Sequence, residues 1–236
     1  MKNLIFLTIS FFFIACSDDN NEVTASNNDE VIYDNVTKPN VYSYPYSSLD
    51  TDMKYSLAYM WNEEKLAKDI YLSLNELYSS NTLKNIATRS EVVHEEAVEE
   101  LVEKYDLNIT NLIDYEENYS EEELNNLAQG VFAIPEIQTL YDELYSYGKV
   151  SLQSSLEVGC MVEVTDIIDL DKYIVQAQDN NASDLVDTFK FLRDGSYRHY
   201  WAFDKALKNI GVGDGCCYLG VINGVDYCQE DYPYKN

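Results

Sequence analysis

Apolar residues recur alternately three and four positions apart over four long stretches of the chain, the period of a helix that buries one stripe. Over about 52–79 the stripe runs through Leu57, Met60, Ala67, Tyr71 and Leu74, and over about 84–106 through Ala87, Val98, Leu101 and Tyr105. Over about 151–177 it takes Leu152, Leu156, Ile167, Leu170 and Ile174, and over about 183–210 Leu185, Phe189, Leu192, Phe203 and Ala206. These spacings predict four helices over those ranges. Between the second and third lies a stretch from Asp106 to Val150, in which "IPEIQTLYDELYSYG" reads as a short helix opened by Pro135. A connection of that length lets the second and third helices run parallel, whereas an up-and-down bundle joins its helices by short loops. Past residue 210, "YLGVINGVDY" alternates around Asn223-Gly224, the strongest short signal for a β-hairpin.

Each stripe is broken by polar residues at positions that the period places inside. The breaks are Glu64 in the first helix, Glu91 with His94 in the second, Glu163 in the third, and Ser196 with His199 in the fourth. Carboxylates inside a bundle would each cost several kcal/mol if left unpaired. Lys65, Lys68 and Arg89 lie off the stripes, so a multivalent cation is the natural neutraliser. Asp166 stands one turn beyond Glu163 and can face the same centre. The set is then Glu64, Glu91, His94, Glu163, Asp166 and His199: four carboxylates and two histidines, the count that a carboxylate-bridged two-metal site uses. Tyr71, one heptad after Glu64 on the same stripe, is expected to hydrogen-bond to a ligand. Glu63 is one residue off the stripe and is left out of the set, and Glu95, Glu96, Glu99, Glu100 and Glu103 mark a solvated face.

The amino terminus has a different character. One lysine is followed by "LIFLTISFFFIA", twelve apolar or small residues, and then Cys16. That run is too short to span a bilayer and fits the core of a signal peptide. Ala15 before Cys16 is similar to a bacterial lipoprotein cleavage site, so residues 1–15 are expected to be a signal peptide and Cys16 to carry lipid. The acidic run "SDDNNE" just after it resembles a sorting signal of surface-exposed lipoproteins, which implies the cell envelope, an outer membrane and an exposed face. Residues 16–51 are rich in Asn, Asp, Ser and Tyr without a helical period and read as a disordered tether. Residues 52–210 are then the bundle and 211–236 a cysteine-bearing hairpin tail.

The net charge of −26 excludes nucleic acid and anionic lipid as electrostatic partners, because their phosphates would be repelled. The lipid on Cys16 would be what holds the protein to a membrane. Four cysteines besides Cys16 suit an oxidising compartment. The hairpin brings Cys217 or Cys216 near Cys228, with Cys217–Cys228 the expected disulfide. Cys160 beside Gly159 reads as small buried filler.

Five segments also resemble a known group. "EEKLAKDIY" (63–71), "NIATRSEVVHEEAV" (85–98), "GVFAIPEIQTLYDEL" (130–144), "LEVGCMVEVTDIIDL" (156–170) and "LRDGSYRHYWAF" (192–203) are similar to a bacterial ferritin-like family of unknown function. Its motifs read E-K-L-A-x-D-V-Y, S-E-x-x-H, V-G-x-x-I-E-x-x-D-I and G-S-x-x-H, and the match runs in order from about 53 to 210. The resemblance implies an all-α, ferritin-like four-helix bundle with a long crossover between helices 2 and 3, to which the short C-terminal β-hairpin is added. It also implies two iron ions, or iron with manganese, with Glu91 and Glu163 as bridges and Glu64, Asp166, His94 and His199 as terminal ligands. Where ferritin-like di-iron proteins carry E-x-x-H in the fourth helix, this chain has Ser196 before His199, and Asp166 would supply the missing carboxylate. The expected activity is oxidation of Fe2+ or reduction of O2 or H2O2, as a di-iron oxidase, ferroxidase or peroxidase. The competing reading is a non-enzymatic surface interaction module whose metal is structural or absent. A homodimer is left open.

Overall fold

The structure, a computed structural model, describes residues 37–110 and 119–235. The expected signal peptide and Cys16 therefore lie outside the described residues. The chain is mostly helical and ends in a small two-stranded antiparallel sheet. Helix α1 spans Thr51–Tyr78; Asp50 caps it by accepting from Met53 N, and Ser79 ends it in the left-handed region. After Ser80, a single helical run carries the chain from Asn81 to Lys104. It comprises α2 (Asn81–Asn85), a π-helical stretch (Ile86–Glu91) and α3 (Val92–Lys104).

Two smaller helices fill the crossover, α4 (Glu121–Asn125) and α5 (Pro135–Gly148), with Pro135 at the first turn where its missing N–H costs nothing. Helix α6 (Leu152–Asp179) opens on a Ser151/Ser154 capping box, and a turn through Asn181 leads into α7 (Ser183–Asn209).

Helix α1 packs on α3 and α6, α6 packs on α7, and α7 closes back on α3. The buried apolar residues fall into two clusters. One holds Met60, Val98, Leu101, Leu170, Phe189 and Leu192, and the other holds Ala67, Tyr71, Ala87, Leu156, Val164 and Phe203. The polar residues that interrupt the stripes lie between the two, one layer across all four long segments. The order of the clusters along each segment gives its direction. The run 81–104 and α6 both pass from the Ala87/Leu156 cluster to the Val98/Leu170 cluster, so they traverse the layer in the same sense. Helices α1 and α7 traverse it in the opposite sense.

Two features depart from the sequence reading. Residues 37–50, expected to be tether, sit on the bundle, with Val41 fully buried. Lys104 and Asp184 form a buried ion pair at 2.6 Å. The remaining Lys104 protons are donated to the carbonyls of Val41 and Tyr44 at 3.0 and 3.2 Å, so the segment completes the solvation of a buried ammonium.

The second departure is Cys160. It is not filler: it is disulfide-bonded to Cys216, which joins α6 to the tail. Cys217 pairs with Cys228 across the hairpin. The hairpin strands are β1 (Val221–Ile222) and β2 (Val225–Asp226), in the register Val221↔Asp226. Asn223 and Gly224 both have positive φ, 52° and 87°, as a two-residue primed turn requires.

Candidate metal centre

Glu91 closes the π-helical stretch, and His94 follows three residues later in α3. A π turn inserts an extra residue into the helix and changes which side chains face inward, which is why such turns recur at functional sites. Here Glu91 and His94 both point into the polar layer, at 1% and 3% exposure. The Glu91 carboxylate stands between the two imidazoles. Its Oε2 is 3.0 Å from His94 Nδ1 and its Oε1 is 3.0 Å from His199 Nδ1. The same Nδ1 atom of each histidine also meets a second carboxylate. Glu64 Oε2 lies 3.3 Å from His94 Nδ1, and Glu163 Oε2 lies 3.3 Å from His199 Nδ1. The row is Glu64, His94, Glu91, His199, Glu163, with the imidazole centroids 5.3 Å apart. Ligand atoms of Glu91, His94 and His199 all lie within 4.8 Å of one another, a buried group able to bind a metal ion.

The residues around this row fix its orientation. The Tyr71 hydroxyl donates to Glu163 Oε1 at 2.6 Å. Ser196 Oγ donates to Asp166 Oδ2. His199 Nε2 and Ser90 Oγ are 2.7 Å apart, which turns Nδ1 of that ring toward the carboxylates. Ser90 was not singled out by the stripe, because a residue that buttresses a ligand need not itself fall on the buried period. The "SEVVH" motif was the available signal.

Gly195 plays a steric part. A Cβ there would stand 2.3 Å from both Cε1 and Nε2 of His94. Gly195→Ala should therefore displace the ring and lower metal affinity by about 10- to 100-fold, the range for lost ligand support. Competition titration with a chromophoric chelator measures this, and an unchanged affinity would show that the ring does not need its place.

Electrostatics in the metal-free chain are those of a cation-seeking pocket. Burial raises Glu64 to about 8, with the His94 charge opposing and Glu91 reinforcing the rise. Burial likewise raises Glu163 to about 7, against the opposing His199 charge. Asp166 is pushed well above the carboxylate range by burial and then by Glu64. Glu91 goes the other way: burial works upward on it, but the two imidazoliums outweigh burial and hold it far down. Burial works to lower both histidines, and the flanking carboxylates prevail, taking His199 to about 10 and His94 well above its usual value. Protons thus occupy the places where cations would satisfy the same groups.

The donor set suits a metal. Glu64 Oε1 and Asp166 Oδ1 are buried without a hydrogen-bond partner among the described residues. Such orphans are uncommon in native interiors, and a bound ion is one of the few ways to satisfy them. Carboxylate oxygen and imidazole nitrogen together match iron, manganese or zinc. All six residues singled out from the sequence are buried, and Glu91, His94 and His199 are the three brought together as possible metal ligands. The contacts of Glu163 run to His199 and Tyr71, whereas Glu91 reaches both histidines. The lysines off the stripes are engaged elsewhere, Lys65 with Asp69 and Lys68 with Glu95.

Residues 52–221 match the family described as an uncharacterized protein domain, DUF2202, and the chain belongs to that family. It is 34% identical over 171 residues to the uncharacterized protein MJ0754 of Methanocaldococcus jannaschii, covering 72% of this chain and 83% of that protein. The crystal structure of MJ0754 superposes with a TM-score of 0.61 at 33% identity, over 71% of this chain and 86% of the archaeal one.

Proposed function

We propose that the chain is a ferritin-like protein whose four long helical segments hold a two-metal carboxylate centre, iron or iron with manganese. The observation that carries this reading is the position of Glu91. One of its oxygens meets each imidazole, and each imidazole has a further carboxylate of its own, so the row divides into two equivalent halves about Glu91. Glu64 and His94 would serve one ion, Glu163 and His199 the other, with Asp166 supplementing the set. The shared direction of the 81–104 run and α6 supports the ferritin-like crossover.

Two such ions, when bound, supply one-electron steps toward O2 or H2O2 at the expense of Fe2+ or another reductant. The chain's own contribution is positioning. Tyr71 fixes the free edge of Glu163, Ser90 fixes His199, Ser196 fixes Asp166, and the two apolar clusters keep bulk water from the layer. The test is the optical spectrum of the ferrous protein before and after O2 or peroxide. New absorption in the near-ultraviolet and visible supports redox turnover. An unchanged spectrum in a fully loaded protein would leave the metal a structural role in a surface module.

We further propose that the protein works in the cell envelope, anchored by lipid on Cys16. Two disulfides in one chain support an oxidising compartment. Among the described residues no helix is long and apolar enough to cross a membrane, so anchoring would fall to the lipid. Cys16→Ala should move the protein from the membrane to the soluble fraction with its helical circular-dichroism signal intact. Persistent membrane association after a mild salt wash would refute the lipid anchor.

A further inference from the structure

Both disulfides belong to the C-terminal tail, and they differ in their access to solvent. Cys160 and Cys216 are fully buried, whereas Cys217 and Cys228 are both partly exposed. The buried bond spans a sequence separation of 56 and encloses the whole of α7. A cross-link restrains the chain it encloses more as the loop lengthens, so this bond holds α7 on α6 in addition to packing. On α6, Cys160 stands one turn before Glu163, and residues three apart are neighbours on a helix surface. Gly159 beside it gives Phe203 of α7 its place, since a Cβ there would stand 2.4 Å from the ring.

The tail lies against α7 at the residues that bracket His199. Gly215, at φ 55°, lets Cys216 N donate to Asp204 Oδ1 at 3.0 Å, and a Cβ on it would stand 1.9 Å from that oxygen. Tyr200, the residue after His199, is buried; its hydroxyl donates to Tyr227 O and accepts from Gln229 N, both at 2.9 Å. Trp201 Nε1 donates to Pro233 O at 2.7 Å. The Tyr232 ring meets those of Tyr197 and Tyr200 at 4.9 and 5.2 Å. The tail thus braces the turn of α7 that presents His199, and the buried disulfide ties it to α6 one turn before Glu163. These two ligands meet at 3.3 Å. Glu64 and His94 stand on α1 and α3, to which neither disulfide is tied.

We propose that the tail is a redox-released brace. Thiol–disulfide exchange at Cys217–Cys228, and then at Cys160–Cys216, frees it from α7 and loosens the His199–Glu163 half of the centre, while the Glu64–His94 half stays in place. The brace needs only the contacts above; its effect on metal rests on the two-metal reading. The partner is a dithiol. One of its thiolates attacks the accessible bond, forming a mixed disulfide and releasing one cysteine, and its second thiol displaces the other. Two electrons and two protons reach the protein as two cysteine thiols, and the reductant leaves as a disulfide. Opening the hairpin uncovers Cys216, and a second dithiol reduces its bond in the same way.

The full-length protein is compared in three forms: oxidised, reduced with TCEP and then desalted without oxygen, and as Cys160→Ser/Cys216→Ser. In the metal-free state, hydrogen exchange should speed up about tenfold or more in residues 196–207 of the reduced protein and the variant, and stay unchanged in residues 92–102. In the Co2+-loaded state, excess EDTA should withdraw about half of the metal about tenfold faster after reduction. Reoxidation with oxidised glutathione should restore both slow rates.

Unchanged exchange in both the reduced protein and the variant would overturn the brace. Faster exchange in α3 and α7 alike would make the bonds general staples of the fold and overturn the local device. Local loosening without faster Co2+ release would overturn its control of the centre. Oxidised protein that takes up no Co2+ would count against the two-metal reading, and the exchange arm would still decide on the brace. The reduced wild type keeps the test decisive should the double variant fold poorly.

Discussion

Glu91→Ala should empty both halves of the centre, whereas Glu95→Ala, one turn on, should leave them filled. Wild-type protein reconstituted anaerobically with iron(II) is expected to hold about two ions per chain, as a ligand set of this composition does in ferritin-like bundles. Glu91 is the only side chain in the row that meets both imidazoles. Its loss removes one ligand from each ion and leaves two imidazoles with nothing between them. The remaining halves, Glu64 with His94 and Glu163 with His199, offer two close donors each, too few to hold a first-row divalent ion against water at micromolar concentration. Glu95 instead pairs with Lys68 of α1, so its removal costs an ion pair and no ligand. Elemental analysis after desalting measures the outcome. Equal iron in Glu91→Ala and Glu95→Ala would mean that the row is not where the metal binds. His199→Ala provides an internal control, since it should lose the Glu163 half first.

Much of this site was readable from the stripe alone, because a helix in a bundle carries its functional residues on the face that packing already marks. Glu64, Glu91, His94, Glu163 and His199 interrupt an otherwise apolar period, and interruption of a buried stripe is informative where an exposed carboxylate is not. The period failed in places where its assumption of one buried face per helix failed. Helix α1 is packed by α5 as well as by α3 and α6, so Asn62, Glu63, Glu64 and Lys65 are all buried in succession. Glu63 was therefore invisible as an inside residue, although it is as enclosed as Asp166.

The Cys160–Cys216 bond was hidden for another reason: besides Cys16 the chain has four cysteines, and four allow three pairings that spacing cannot rank. The adjacent Cys216 and Cys217 offered the hairpin two equivalent partners for Cys228, and only the packing of the tail on α6 separates them. The seating of residues 37–50 depends on Lys104, whose buried ammonium seeks carbonyls that no local pattern announces. The π turn before Glu91 is equally silent in sequence, since it changes hydrogen-bond pairing without changing which residue types are present.

Metal-free protein should lose stability as pH rises from about 5 to 8, and bound metal should reverse much of that loss. Glu64 and Glu163 carry raised pKa values of about 8 and about 7, against a carboxylate value of 4.5 in the absence of these neighbours. Such groups bind protons in the folded state that the unfolded chain has already released. Their stabilising contribution is complete below the unfolded value and disappears as pH climbs through the folded one. Asp166 adds in the same direction.

The histidines do not oppose this trend. His199, raised to about 10, contributes fully below 6.5 and loses its contribution only as pH passes toward 10. Glu91, held low, contributes above its unfolded value of 4.5 and loses that contribution on the acid side, below the window in question. Every shift that acts between pH 5 and 8 therefore points downward. Each pKa unit is worth about 1.4 kcal/mol, so the coupled set should cost about 3 kcal/mol or more across the window, after allowance for shared protons.

Metal ligation requires the same groups deprotonated, so affinity rises with pH as the proton competition weakens. Thermal melting of metal-free and Co2+-loaded protein at pH 5 and pH 8 provides the measurement. The metal-free Tm should be several degrees lower at pH 8 than at pH 5, and the gain on loading should be larger at pH 8. A metal-free Tm that holds or rises across the window would mean that Glu64, Glu163 and Asp166 do not face one another in a dry layer.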